Sequence, residues 1–190
     1  MKYLSIIHST KRLQNEYRKN TQAGFTLIET FVAVSLLMLA LVGPLTLAQQ
    51  SLTSTTSSAD QITAFYLAQD AMEYIRNVRD SNIKAGDDWL DGFSGLDCLN
   101  NTCRIDTSTS QPITAAVQAC SGSQCQLRYD AATNRYGYNG AWTPSQFSRE
   151  ITMTVIDASR EVIVDVTVSW VTGGFNGSFT ATQSIFNFAP

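Results

Sequence analysis

From Phe25 to Ala48 the chain is apolar almost without relief: Glu29 is the one charged side chain, and Phe31 to Ala48 carries none. The 18 residues from Phe31, or 24 counted from Phe25, match the roughly 20 that a helix needs to cross a hydrocarbon layer. Gly43-Pro44 interrupts the run; a proline removes one helical hydrogen bond, so a modest bend near the outer face is expected. Ser51 to Ser58 is rich in serine and threonine, a linker-like composition of poor helix propensity. Beyond it the period becomes helical. Ile62, Phe65, Ala68, Met72 and Ile75 recur at steps of three and four, with Leu67, Ala71, Tyr74 and Val78 beside them. The spacing predicts one helix from about Phe25 to Ser81, roughly 85 Å long if straight. Its first half suits a membrane and its second half packs on a head; Arg76 and Asp80, four apart, add a surface pair.

The period changes to two from Leu127. Leu127-Arg128-Tyr129 and Arg135-Tyr136-Gly137-Tyr138 bracket the turn-like Asp130 to Asn134, the pattern of a hairpin. Phe147, Arg149, Ile151, Met153 and Val155 alternate with polar residues up to a turn at Asp157 to Arg160. Val162, Val164, Val166, Val168 and Trp170 form one face of a strand from Glu161 to Val171. Thr172 to Gly177 turns the chain into a last strand holding Phe179, Ala181 and Ile185. The valine and tryptophan face needs an apolar partner, which the amphipathic helix supplies. The result is an α+β fold, an antiparallel sheet of about four strands on a long helix. Between Asn82 and Arg128 the breakers Gly86, Gly92, Gly95, Pro112 and Gly122 predict an irregular region. Five segments follow: 1–24 basic and polar, 25–48 membrane-spanning, 49–81 helix on the head, 82–128 loops, and 129–190 sheet.

Charge sharpens this division. The chain has 13 basic and 16 acidic residues, but Lys2, Lys11, Arg12, Arg18 and Lys19 all precede Phe25, opposed there only by Glu16. The remainder holds 8 basic and 15 acidic residues, a net of −7, which disfavours direct binding to phosphate backbones. Basic residues before the apolar run and none soon after it orient the N-terminus to the cytoplasm and the rest outward. A secretory signal ending at Thr46-Leu47-Ala48, with Gln49 as the new terminus, is the competing route; the long basic leader, the over-long apolar run and the internal carboxylate stand against it. Hydrolytic triads find little support, because the sole histidine, His8, lies in the leader. No phosphate-cradling glycine loop and no distinctive pair of carboxylates is present either, so a non-enzymatic role without a cofactor is expected.

All four cysteines fall in the loop region, as Cys98-x4-Cys103 and Cys120-x4-Cys125. In an exported segment oxidation is favoured over zinc, whose structural sites show shorter Cys-x2-Cys steps. Three pairings are open, and the equal local spacings favour Cys98 with Cys103 and Cys120 with Cys125. Asp87, Asp88, Asp91 and Asp97 offer oxygen ligands for calcium, although their spacing is not that of an EF-hand loop and a solvated loop accounts for them as well.

Glu29 is out of place in an ordinary anchor, since a carboxylate costs about 2.5–3.5 kcal/mol at the bilayer centre and less near the interface. Gly24-Phe25-Thr26-Leu27-Ile28-Glu29, after a basic leader and before an uninterrupted apolar helix, resembles the processing motif of type IV pilins and type II secretion pseudopilins. The resemblance is specific over about 30 residues, and Ala68 to Asp80 is similar to the second helical half of many minor pilins. It implies cleavage after Gly24 by a prepilin peptidase and methylation of the new terminus at Phe25. It also implies pairing of Glu29, the fifth mature residue, with an N-terminal amine during assembly. Other pilin subunits, an assembly platform and, before assembly, the cytoplasmic membrane are the implied partners, and some pseudopilins bind calcium. The expected function is a structural subunit, minor rather than major, of a pilus or pseudopilus. The alternative is an adhesive or binding module displayed by a membrane anchor, with Trp89, Tyr136, Tyr138 and Trp142 facing a ligand.

Overall fold

The computed structural model describes residues 24–93, 98–109 and 113–188. By internal contact the chain divides into two units, one ending at Ala48 and one beginning at Gln49. Helix α1, Leu27–Ala85, contributes to both. Its Ser/Thr-rich stretch is helical throughout rather than a linker. The Thr53, Thr55 and Ser58 hydroxyls donate to carbonyls four residues back, at 3.0, 2.8 and 2.9 Å, sharing those acceptors with the helical N–H groups, so each is satisfied without breaking the helix. Helical structure also continues on both sides of Pro44. The helix stops four residues later than expected, at a Schellman turn. Gly86 takes φ +80°, its N–H reaches the Ile83 carbonyl at 3.2 Å, and the Asp87 N–H reaches that of Asn82 at 3.0 Å.

The second unit is an antiparallel sheet packed on the latter part of α1. Strands β1 (Thr102–Ile105), β2 (Val117–Ala119), β3 (Gln126–Asp130), β4 (Arg135–Gly137), β5 (Thr143–Asp157), β6 (Glu161–Thr172) and β7 (Phe175–Phe186) make seven, not about four. Strands β1 and β2 escape the sequence pattern because three or four residues are too few to show alternation. The long β5 organises the sheet, pairing with β6 along its length and with β3 and β1 at successive stretches. The hairpin of β3 and β4 has Tyr129 opposite Tyr136, and β7 pairs with β6 without a register break.

The loop region is more ordered than its glycines suggest. A short helix α2 (Ile113–Ala116) precedes β2, and a 3-10 turn (Gly122–Cys125) precedes β3. The disulfides join Cys98 to Cys103 and Cys120 to Cys125, the pairing favoured by spacing. The first loop is pinned to the sheet: Met153 N–H donates to the Cys98 carbonyl at 3.1 Å and Asn100 N–H to that of Met153 at 2.7 Å.

The core forms where the helix changes character. Ala64, Leu67, Ala68, Ala71, Met72 and Ile75 are buried against Ile151, Met153 and the inward valines of β6. Alanines on this stripe let the helix backbone approach the sheet closely while the large side chains fill the flanks. Trp170 closes one end by lying over Gly177, where an added Cβ would strike its ring. Asp60 ties the helix to the strand ends, accepting from Thr172 Oγ1 at 2.7 Å and Gln146 Nε2 at 2.6 Å. On the surface Arg76 pairs with Glu73 at 3.3 Å rather than with Asp80, which Arg79 engages at 2.6 Å.

Arg149 is the exception within this apolar face: fully buried, it projects from β5 toward α1. Its Nη1 donates to the Leu67 carbonyl at 2.9 Å and Asp70 Oδ2 at 3.3 Å, and its Nη2 to the Ile105 carbonyl at 2.6 Å. One planar guanidinium thereby joins α1, β1 and β5, a geometry that a single-point ammonium does not reproduce. A buried cation is tolerated only when paired and hydrogen-bonded in this way. We predict that Arg149→Ala destabilises the head by about 3–5 kcal/mol in denaturant unfolding, through the cavity it leaves and the loss of the bonds that join α1, β1 and β5.

Candidate functional site at the start of the helix

Helix α1 begins at a threonine cap. The Glu29 N–H donates to Thr26 Oγ1 at 3.3 Å, and the Thr30 N–H closes the first helical turn on the Thr26 carbonyl at 3.1 Å. Thr26-Leu27-Ile28-Glu29 therefore has the residues of a capping box, a threonine with glutamate three positions on, a signal present in the motif that the sequence reading passed over. The cap fixes where the helix starts and places the Glu29 carboxylate in its first turn, where the helix dipole favours negative charge.

Hydrogen bonding along the apolar part of α1 then isolates that carboxylate. Between Leu27 and Ala48 the only polar side chains are Glu29, Thr30, Ser35 and Thr46. Thr30 donates to the Leu27 carbonyl at 2.8 Å, Ser35 to that of Phe31 at 2.8 Å and Thr46 to that of Gly43 at 2.7 Å. Each hydroxyl is satisfied within the helix and asks nothing of its surroundings, as a hydrocarbon environment requires. The Glu29 carboxylate alone has no partner among the described residues.

Nothing in the described chain covers this segment. Every residue from Gly24 to Ala59 is exposed, with Phe25 at 78% and Leu27 at 87%. The helix is long and apolar enough to cross a membrane. Gly24 and Phe25 precede the cap in non-helical backbone, both exposed. Residues 1–23, with the basic leader and His8, lie outside the described residues. The competing cleavage site at Thr46 to Ala48 lies within continuous helix.

The other candidates are drawn into local structure. Asp88 accepts from the Leu90 N–H and Asp91 from the Gly92 N–H, both at 2.9 Å, so these carboxylates shape the turn after α1. Asp87 is exposed and Asp97 lies outside the described residues. Among the described residues no three acids, histidines or cysteines gather to hold a metal. Trp89, expected at a ligand-facing surface, is instead 4% exposed, its indole N–H donating to the Ala158 carbonyl at 3.2 Å. Tyr138 lies under the Arg104 guanidinium, 4.9 Å from its centroid, and donates to the Arg149 carbonyl at 3.3 Å. Burial pushes its phenol above the ordinary value. Tyr136 packs edge-on against Phe147, and Trp142 is half-buried. Trp89 and Tyr138 thus build the head, whereas Tyr136 lines an open cavity of about 530 Å³ together with Tyr66, Asp70 and Arg135.

Comparison with family models, curated proteins and solved structures finds no match. The exposed apolar helix carries its own test. We expect the full chain to stay with membranes through alkaline carbonate extraction, whereas a chain beginning at Gln49 is released.

Proposed function

We propose that the chain is a structural subunit, minor rather than major, of a type IV pilus or a type II secretion pseudopilus. The observation that carries the reading is Glu29: among the described residues its carboxylate has no partner, in the first turn of α1, while the other polar side chains between Leu27 and Ala48 are all satisfied. Left alone at membrane depth it is costly, so it calls for a cation. The cation that the motif provides is a free amine at Phe25, created when a prepilin peptidase cuts after Gly24. Methylation of that amine keeps its charge and so preserves the attraction.

In this mechanism the subunit waits in the cytoplasmic membrane, with the leader inside and the acidic head outside. An assembly platform then draws its helix among those of other subunits. Apolar packing from Phe25 to about Leu47 supplies the bulk attraction, which is non-directional and leaves axial slippage unopposed. The Glu29 to amine pair supplies the register. At 4 Å and an effective dielectric of 20, opposite unit charges attract by about 4 kcal/mol, and one misaligned partner leaves both unmatched. The head takes no part in chemistry and faces solvent in the extracellular filament. Its disulfides suit that oxidising setting.

The test is Glu29→Leu in the full chain, expressed beside its native partners. We expect normal membrane insertion and cleavage but at least about ten-fold less protein in sheared filaments, as loss of a pairing of this size requires. Incorporation at the wild-type level would overturn the proposal.

A further inference from the structure

The sheet ends very differently on its two sides. At the far ends of one side lie β2 and β4, of three residues each. On the other side lies β7, twelve residues long, which among the described residues pairs only with β6. Exported β proteins protect such an edge with charges, prolines or bulges. Strand β7 has no charged residue and no proline, and its register with β6 is unbroken from Phe175 to Phe186. Alternate residues of an edge strand turn both N–H and C=O outward, so half of this ladder is available for a further strand.

The bare edge also has a wall beside it. An open groove of about 630 Å³ runs between α1 and β7, apolar at Phe65, Met72, Phe179 and Ala181 and polar where Asp70, Glu73 and Arg76 of the helix face it, Arg76 donating across it to the Gln183 side-chain oxygen. Phe65 and Phe179 stand edge-to-face at its floor, with ring centroids 5.6 Å apart. An added strand would therefore meet outward backbone groups along β7 and, on its inward side, an apolar patch at Phe65 and Phe179 flanked by the acids Asp70 and Glu73. Backbone bonds for affinity and pockets for alternate side chains together make a strand-addition site.

We propose that this edge and groove receive an extended segment of a different protein. That segment is apolar at alternate positions, free of proline over about six residues and without net negative charge. A second copy is the poorer occupant, because the unit from Gln49 onward carries 8 basic and 14 acidic residues and two such heads repel. This site lies on the head, so it does not depend on how the amino-terminal helix assembles.

The test uses the full chain in detergent micelles, amide hydrogen exchange across residues 175–186, and a synthetic peptide Lys-Val-Thr-Val-Thr-Val-Thr-Lys. The expected result is slowed exchange at alternate β7 amides on adding the peptide, none with a version carrying proline at its centre, and binding weakened at least about ten-fold by Ala181→Lys. Ser178→Lys, whose side chain is exposed, should weaken binding without disturbing the core, with protection along β6 showing that the fold is intact. Unchanged exchange with the peptide, or equal protection by the proline version, would overturn the proposal. So would protection of the same amides without peptide accompanied by a doubled protein mass in the micelle, which would assign the edge to a second copy.

Discussion

From Leu27 to Ala48 the helix is apolar on all sides and exposed on all sides, and no other described part of the chain covers it. Such a surface is unstable in water, by about 25 cal/mol for each Å² left wet, so lipid or other helices must enclose it. Much else follows from that requirement. The hydroxyls of Thr30, Ser35 and Thr46 turn back onto the helix because the surroundings offer no partner. The one group not satisfied in this way among the described residues, the Glu29 carboxylate, sits in the first turn, where the helix dipole favours its charge.

Past Gln49 the same helix meets different physics. One stripe, alternating alanines with Leu67, Met72 and Ile75, is buried by the valines of β6, while the opposite side stays wet. Valine faces are non-specific partners and would accept the helix in several registers. Polar contacts choose among these. Arg149 reaches Leu67 and Asp70 from the middle of the sheet, and Asp60 accepts from Gln146 and Thr172 at its end. Three elements therefore meet at one guanidinium, whose directional bonds specify a position that apolar packing alone leaves loose.

How much of this was legible depended on the length of each signal. The helix was readable because its pattern repeats over many turns, and β5 and β6 because Phe147 to Val155 and Val162 to Trp170 alternate for long enough. Strands β1 and β2 were not, being short and held by pairing with each other, and of β1 with β5, rather than by their own periodicity. Arg149 stood in the inward set of β5 by spacing, but sequence alone does not say that a carbonyl of α1 and one of β1 lie within its reach. Trp89 misled for a related reason: surrounded in sequence by aspartates and glycine it reads as exposed, whereas its ring is folded under the turn at Ala158. In the motif at the start of α1 the capping signal, Thr26 with Glu29 three positions on, was also written in the residue order, but only the hydrogen bond from the Glu29 N–H to Thr26 Oγ1 drew it out.

The central claim is that a new amino terminus at Phe25 supplies the cation that Glu29 lacks. The most direct measurement is the mass of the N-terminal peptide, together with the intact mass, of protein extracted from native membranes or sheared filaments. The account predicts a chain beginning at Phe25 with a single N-methyl group. A chain beginning at Gln49, or one retaining Met1 in cells with an active prepilin peptidase, would contradict it.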